Sequence, residues 1–329
     1  MKKIIFISII LVTICIIYFI ILMTNYNQFI NHVDKFFNIG SFPIDAVITF
    51  RGEKFDLNSI REGYNYEIKY CLRSISKYMP WIRRIYILQN SDAKIPSFFS
   101  KNYKKNGIYL FNDNEIIPHK YLPTKNSDSI ETFLTLLPGL AEHFIYFCDD
   151  MFVMKPVKMD YFFTENGIPI RLKFPRLYLE QVGSFKIKTP PAPGHFFYPH
   201  VPIPYTKTEI TKYINKYPDF IEYIRSIRTR ASLLQSTMDC NKIGLTLPCL
   251  QFHSGVDYMG NGISNGLEEF EVSDLFLFPH DIWRIKNCSK KFLSLNDYFI
   301  GSTEERDIQR NKLKEVMDDI FPEKSRAEI

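Results

Sequence analysis

A run of apolar and aromatic residues, Phe144 to Cys148, stops at two adjacent carboxylates, Asp149 and Asp150, and apolar residues resume at Met151 and Phe152. A short apolar run of this kind reads as a buried strand. Two carboxylates at its mouth repel each other and lose hydration, so the fold must supply a cation or hydrogen-bond donors there. Open α/β sheets bind ligands at the carboxyl ends of their strands, where such a pair would sit. A plainer reading of the same residues has one Asp capping a turn and the other solvated.

The flanking sequence points to the same architecture. Ile44 to Phe50 reads as a first buried strand that turns at Arg51-Gly52. Residues 62–79 read as a helix: Ile68, Leu72, Ile75 and Met79 share one apolar face. Lys69, Arg73 and Lys77 form a basic stripe one position along, expected to be solvated. Pro80 ends the helix and residues 84–88 read as a second strand, so strand, helix, strand implies a parallel pair. Asp128 and Glu131 fit a capping box, with Asp128 as N-cap of a helix carrying Ile130, Phe133, Leu134 and Leu137 to a stop at Pro138-Gly139. Residues 189–204 are proline-rich and read as a loop. Residues 207–235 read as helical, residues 276–278 as strand-like, Asn296-Asp297 as a turn, and about 304 to 320 as a helix.

Of the 329 residues, 46% are hydrophobic, enough for one large or two modest domains. The 41 basic and 36 acidic residues are interspersed and leave a net charge of +5, which does not suggest a nucleic-acid binder but tolerates a phosphorylated substrate. Residues 4–23 are uncharged and apolar, long enough for a bilayer-spanning helix of about 20 residues. Lys2 and Lys3 precede this run and no small-residue cleavage site follows it. It therefore reads as a retained single-pass anchor with a cytosolic N-terminus. The expected division is an anchor over 1–25, a stalk over 26–43, and one globular domain over 44–325 that carries the 189–204 loop as an insertion. Six scattered cysteines with no CxxC spacing argue against a zinc site or a disulfide framework. Cys71 and Cys148 sit in apolar patterns and are expected in the core. Asn287-Cys288-Ser289 is a lone glycosylation sequon, relevant only on a lumenal face.

Three further residues could carry chemistry. His200 is held between prolines, which suits a positioned base or a phosphate donor, or it is merely exposed. Arg230 closes a run with Arg225 and Arg228, and a guanidinium fork matches phosphate oxygens; the alternative is a solvated helix face. Asp297 ends another apolar run. On loops around an α/β core, these residues with the acidic pair would suit metal-assisted phosphoryl chemistry.

These residues resemble the Stealth family of sugar-1-phosphate transferases, which includes bacterial capsule polymerases and the catalytic region of the lysosomal-enzyme N-acetylglucosamine-1-phosphotransferase. Residues 67–75 and 78–87 resemble the opening of the family's second block; Leu122-Pro-Thr, Asn126-Ser127, Ile130-Glu131 and residues 138–152 resemble its close. The stretch from His200 through Tyr217-Pro218 to Arg230 is similar to the third block, and residues 291–297 with 321–325 to the fourth. The first block departs from the family pattern. Thr49-Phe50-Arg51-Gly52-Glu53 has Phe50 in place of Trp and lacks the expected Asp or Asn, and Cys148 stands where the second block carries Asn.

The resemblance implies an α/β fold with a mostly parallel central sheet flanked by helices, Rossmann-like or GT-A-like, behind one N-terminal transmembrane helix. It implies transfer of a sugar 1-phosphate from a nucleotide sugar, a UDP-sugar by preference, to a glycan or glycoprotein hydroxyl, with release of UMP. Mg²⁺ or Mn²⁺ would sit at Asp149 and Asp150. His200, Arg230 and Asp297 would be catalytic, and Asp45, Arg73, Asn126, Ser127 and Glu131 would bind the donor. The alternatives are a metal-dependent glycosyltransferase releasing UDP and an inactive glycan-binding member, the latter motivated by the altered first block. The domain would be lumenal in a eukaryotic or viral setting, or otherwise belong to the bacterial inner membrane; a homodimer is left open.

Overall fold

The chain divides into Met1–Ser41 and Phe42–Ile329. The computed structural model describes residues 42–53, 66–170, 202–216, 218–228, 270–274, 280–296 and 302–329, all in the second unit. The apolar run 4–23 lies outside them, and among the described residues no helix is long and apolar enough to cross a membrane.

The chain enters through β1 (Ile44–Phe50), crosses over by α1 (Glu67–Tyr78), and returns as β2 (Ile85–Gln89) and β3 (Ile108–Asn112). A short helix α2 (Asp113–Ile116) and α3 (Ser127–Glu131) precede β4 (His143–Cys148), which hands directly to β5 (Met151–Val153). Then come β6 (Ile203–Thr206), α4 (Lys207–Lys216), α5 (Pro218–Ser226), β7 (Phe270–Asp274), α6 (His280–Lys286), β8 (Phe292–Asn296) and α7 (Thr303–Ile320). A five-stranded sheet runs in the order β3-β2-β1-β4-β6, and β5-β8-β7 form a smaller sheet. Strands β1 to β4 are parallel; β6 pairs antiparallel to β4 at the edge, where Pro204 costs no interior ladder bond.

Both faces of the main sheet are covered, so its strands read as continuous apolar runs rather than alternating ones. Ala46, Ile48, Ile87, Ile145 and Phe147 face a core shared with α1, α7 and the small sheet. Val47, Tyr86, Leu88, Phe144 and Tyr146 face a second core with Leu134, Leu137, Ile210 and Ile221. Each fully buried side chain of this kind contributes roughly 1.5–3 kcal/mol relative to exposure.

The structure revises four expectations. Helix α1 begins at Glu67, because Tyr66 has a left-handed backbone (φ 63°) that interrupts the helix path; residues 54–65 lie outside the described residues. The basic stripe on α1 is not solvated. Arg73 is 8% exposed and donates to Glu328 through Nε (2.9 Å to Oε2) and Nη2 (2.6 Å to Oε1), and through Nη1 to the Phe321 carbonyl (2.8 Å). Lys69 pairs with Asp318 of α7 (3.0 Å) and Lys77 with Glu323 (3.5 Å), so the stripe is the seam that docks the C-terminal segment. The expected helix over 128–137 is split. Its N-cap is Asn126, whose side chain accepts from the Asp128 amide (3.2 Å), and a 3-10 turn over Leu134–Leu136 follows. The break has a cause at Thr132, whose carbonyl accepts from Arg225 Nη2 (3.1 Å) rather than continuing the helix.

The helical stretch expected over 207–235 is likewise two helices, α4 and α5. Pro218 opens the second, at the first helical position that proline tolerates. Its residues 229–235 lie outside the described residues, as do 276–278; β7 lies just upstream of the latter.

Candidate active site at the carboxyl end of the sheet

In the order β3-β2-β1-β4 the chain progresses outward from β1 in both directions, so the topological switch point falls between β1 and β4. Ligands of open α/β sheets bind in the crevice outside the carboxyl ends of such a pair. The last register pair there is Thr49 with Cys148. Thr49 Oγ1 and the Tyr146 hydroxyl are 2.9 Å apart, and that hydroxyl lies 3.7 Å from Cys148 Sγ. The edge is therefore tied across the switch point by neutral hydroxyls and a thiol. Burial pushes the Tyr146 phenol well up, and the nearby Cys148 and Glu131 push it further, so the phenol stays protonated and uncharged.

The acidic pair leaves this edge. Asp149 and Asp150 occupy the turn between β4 and β5 and are half-buried. Their field reaches inward: burial raises the Cys71 thiol well above its usual range, and Asp149 and Asp150 raise it further. Cys71 is fully buried and its Sγ lies 3.9 Å from the Cys148 carbonyl, as expected for a core thiol. The turn is held from the other sheet as well, since the Leu295 amide of β8 donates to the Asp150 carbonyl (3.1 Å).

The loop leaving β1 is braced on its β2 side. Gly52 has φ of +107°, and a Cβ there would meet the Ala93 Cβ at 2.6 Å, so both backbone and contact require glycine. Glu53 accepts from the Ser97 amide with both oxygens (3.2 Å each). Gln89, at the end of β2, donates to the Ala93 carbonyl (3.2 Å) and to Asn112 Oδ1 (3.1 Å), pinning the loop against which Gly52 packs.

The expected site residues separate into three groups. Asp149, Asp150 and Glu131 converge on the carboxyl end, and Asn126 and Ser127 open the α3 turn that carries Glu131. Asn126 is fully buried and fixed by three bonds, accepting from Asp128, donating its side chain to the Ile227 carbonyl (3.2 Å), and donating its amide to Thr124 Oγ1 (3.2 Å). Asp45 and Arg73 lie elsewhere. Asp45 is at the amino end of β1, fully buried, and accepts from Arg83 Nε (2.9 Å), Arg83 Nη2 (2.7 Å) and the Ala141 amide (2.7 Å). Arg73 is committed to the C-terminal segment. His200, Arg230 and Asp297 lie outside the described residues. Thr49 and Tyr146 were not distinguishable in sequence; the one available signal was the Thr49 hydroxyl at the penultimate position of β1.

An α/β sheet with an acidic turn at its switch point defines a ligand-binding or catalytic α/β protein. Residues 61–171 match the model of Stealth protein CR2, conserved region 2, which spans α1 to β5 and the acidic turn. Over this region the chain is similar to the Stealth family. It is 46% identical over 112 residues to the capsular polysaccharide phosphotransferase LcbA of Aeromonas hydrophila, which covers 34% of this chain and 30% of that protein. It is 42% identical over 111 residues to the capsular polysaccharide phosphotransferase fcs1 of Haemophilus influenzae, 34% of this chain and 29% of that protein. These alignments thus span about a third of the relatives' length. A longer match, 27% identical over 322 residues, covers 83% of this chain and 91% of the receptor polysaccharide phosphotransferase WefC of Streptococcus gordonii.

Proposed function

We propose that this chain is a polysaccharide phosphotransferase that moves a sugar 1-phosphate from a nucleotide sugar to a glycan hydroxyl. The acceptor oxygen bonds to the phosphorus that carries the sugar, the bridging P–O bond to the nucleoside phosphate breaks, and UMP leaves from a UDP-sugar. The acceptor proton passes to a base, for which His200 is the candidate. Arg230 would balance charge on the phosphoryl oxygens.

One observation supports this reading: the described neighbours of His200 and Asp297 reach β4 and the acidic turn, and those of Arg230 reach the segment that opens α3. Ile203, three residues after His200, pairs with Tyr146 beside the switch point. Arg228, two residues before Arg230, accepts at its carbonyl from the Lys125 amide (2.9 Å) and donates to the Pro123 carbonyl (3.3 Å), next to Asn126. Leu295, two residues before Asp297, donates to Asp150. The names of the relatives support the phosphotransfer class, and the donor and leaving group are what the resemblance to the Stealth family implies.

A divalent cation fits the donor set. Among the described residues no three His, Cys, Asp or Glu side chains form a cage. Asp149 and Asp150 supply hard oxygens, however, and Mg²⁺ is commonly held by one or two carboxylates together with substrate phosphates. Bound there, the ion would neutralise charge on the pyrophosphate. The chain's own part is to hold the two carboxylates in the turn that joins β4 to β5.

The test incubates the full chain with UDP-sugars, Mg²⁺ or Mn²⁺ and mixed glycan acceptors, then identifies the nucleotide released. UMP that appears only with an acceptor is the expected result. UDP would move the protein to ordinary glycosyl transfer. A donor that binds without release of any nucleotide would make it an inactive family member.

A further inference from the structure

We propose that the amino end of the main sheet is a surface that holds the body of a phosphodiester-linked glycan while the glycan's end reacts at the opposite edge. Arg83 and Arg84 lead into β2, and Lys104 and Lys105 lie in the turn that leads into β3. The C-terminal segment adds Arg326, whose Nη1 donates to the Arg83 carbonyl (3.3 Å) and whose carbonyl accepts from Asn106 Nδ2 (3.1 Å). The Ile85 amide donates to the Gly107 carbonyl (2.9 Å), so the three segments meet at one end. Residues 83–84, 100–107 and 324–327 contain no Asp or Glu.

The acidic groups around this end are already engaged. Asp45 takes the Arg83 fork and the Ala141 amide, Glu328 is bound by Arg73, and Glu323 pairs with Lys77. Among the described residues no carboxylate forms an ion pair with Arg84, Arg326, Lys104 or Lys105. Arg84 has neutral partners, the Gly139 carbonyl (3.5 Å) and the Tyr109 ring (5.3 Å). Burial lowers the Arg326 pKa against the attraction of Asp45, so an anion beside this guanidinium would offset a cost the fold leaves standing. The occupant rests on the reaction proposed above: each transfer leaves one phosphodiester anion in the product, so the glycan repeats a negative charge along its length. Cations spread over β2, the turn before β3 and the C-terminal segment match repeated charges better than one phosphate, and guanidinium forks suit phosphodiester oxygens. The seven residues of β1 separate this end from the acidic edge by roughly 20 Å, so a short acceptor cannot touch both.

The test titrates the full chain against a fluorescein-labelled oligosaccharide whose hexoses are joined by phosphodiesters, long enough to span β1, and reads anisotropy. Binding should tighten from a disaccharide with a single phosphodiester to this polymer and be absent for a neutral polymer of the same length. It should fall away at about 0.5 M salt, where the Debye length is a few ångströms. The triple variant Arg84→Gln, Lys104→Gln, Lys105→Gln should bind the polymer roughly tenfold more weakly, as expected for the loss of three exposed charge contacts, with its thermal transition unchanged. Lys104→Glu with Lys105→Glu, both at exposed positions, repeats the test without touching Arg84. Polymer affinity that both variants keep, or equal affinity for polymer and disaccharide, overturns the inference. Capture of phosphatidylserine vesicles with no binding of the polymer overturns it too and assigns the surface to lipid. Nucleotide release is not read, so a chain that binds the polymer through these residues yet releases UDP or nothing loses the reaction proposed above and keeps this surface.

Discussion

The two ends of the five-stranded sheet treat polar groups in opposite ways. At the amino end the buried carboxylate is consumed. Asp45 is sealed by the Arg83 fork and the Ala141 amide, and Arg73 nearby is locked to Glu328. At the carboxyl end the strands are tied by neutral groups, Thr49, Tyr146 and Cys148, with Glu131 buried nearby and the charged pair half-buried in the following turn. Carboxylates inside a fold therefore do not by themselves mark a site. What distinguishes Asp149 and Asp150 from Asp45 is that the amino-end carboxylate is saturated by the protein's own donors, while the pair lies outside the carboxyl ends of parallel strands.

The sharpest way to break this contrast is Arg83→Ala. It leaves the fully buried Asp45 carboxylate with one amide donor, and stripping a partner from a buried charge costs about 3–5 kcal/mol. Urea denaturation should show that loss, while nucleotide release per folded molecule stays near normal. Unchanged stability would mean that Asp45 is not structural, and lost turnover at full stability would return it to the donor site.

Asp149→Asn and Asp150→Asn test the other end. Removing one preorganised charge-handling group typically costs about 10²–10³-fold in turnover. Each variant should lose that much UMP release with an unchanged thermal transition. Near-normal turnover in both would leave the pair a capped, solvated turn.

The third test is a titration. His143, at the amino end of β4, donates Nε2–H to the Gly167 carbonyl (3.0 Å) and stacks on Phe42 (4.1 Å), with Phe163 edge-on (5.3 Å). Burial lowers its pKa, against the Gly167 bond and the Glu142 charge, which raise it. The unfolded imidazole takes its proton first as pH falls through about 6.5, so stability should be full above that pH and decline below it. The slope should not exceed about 1.4 kcal/mol per pH unit for one proton. His143→Gln should flatten that window. Asp318 gives a second, lower window on the C-terminal seam. Burial pushes its carboxyl up, but hydrogen bonds from Lys314 and Lys69 outweigh this and hold it at about 2. Its contribution is present above the ordinary carboxylate range and lost as pH falls through about 2, so acid denaturation of Asp318→Asn should be shallower there.

Much of the sheet was legible because its physics is local. Apolar runs buried on both faces announced β1, β2 and β4 in the sequence, and Pro80 announced the end of α1. What failed depended on partners distant in sequence. Lys69, Arg73 and Lys77 looked solvated because Asp318, Glu323 and Glu328 lie some 250 positions away. The helix after Asn126 was expected to run on because Arg225, which takes the Thr132 carbonyl, belongs to α5. In the candidate site the acidic pair was readable as a motif. Asp45 was not readable as structural, because its saturation by Arg83 and Ala141 appears only once β1, β2 and the turn before β4 are assembled.

The smallest expected effect sharpens the comparison most. Tyr146→Phe removes one hydroxyl from the neutral tie across the switch point and leaves Thr49 Oγ1 without it. A bond between uncharged groups contributes about 0.5–1.5 kcal/mol net, well below the cost of exposing Asp45 at the other end. A double-mutant cycle with Thr49→Val isolates that coupling by denaturation. If the carboxyl end is tied by cheap neutral bonds, the coupling should fall in that range, and turnover should drop only as far as the Asp149 turn shifts. A coupling as large as the Arg83 effect would show that Tyr146 and Thr49 hold the edge as firmly as the ion pair holds the base, and the contrast between the two ends would then lie in charge alone, not in strength.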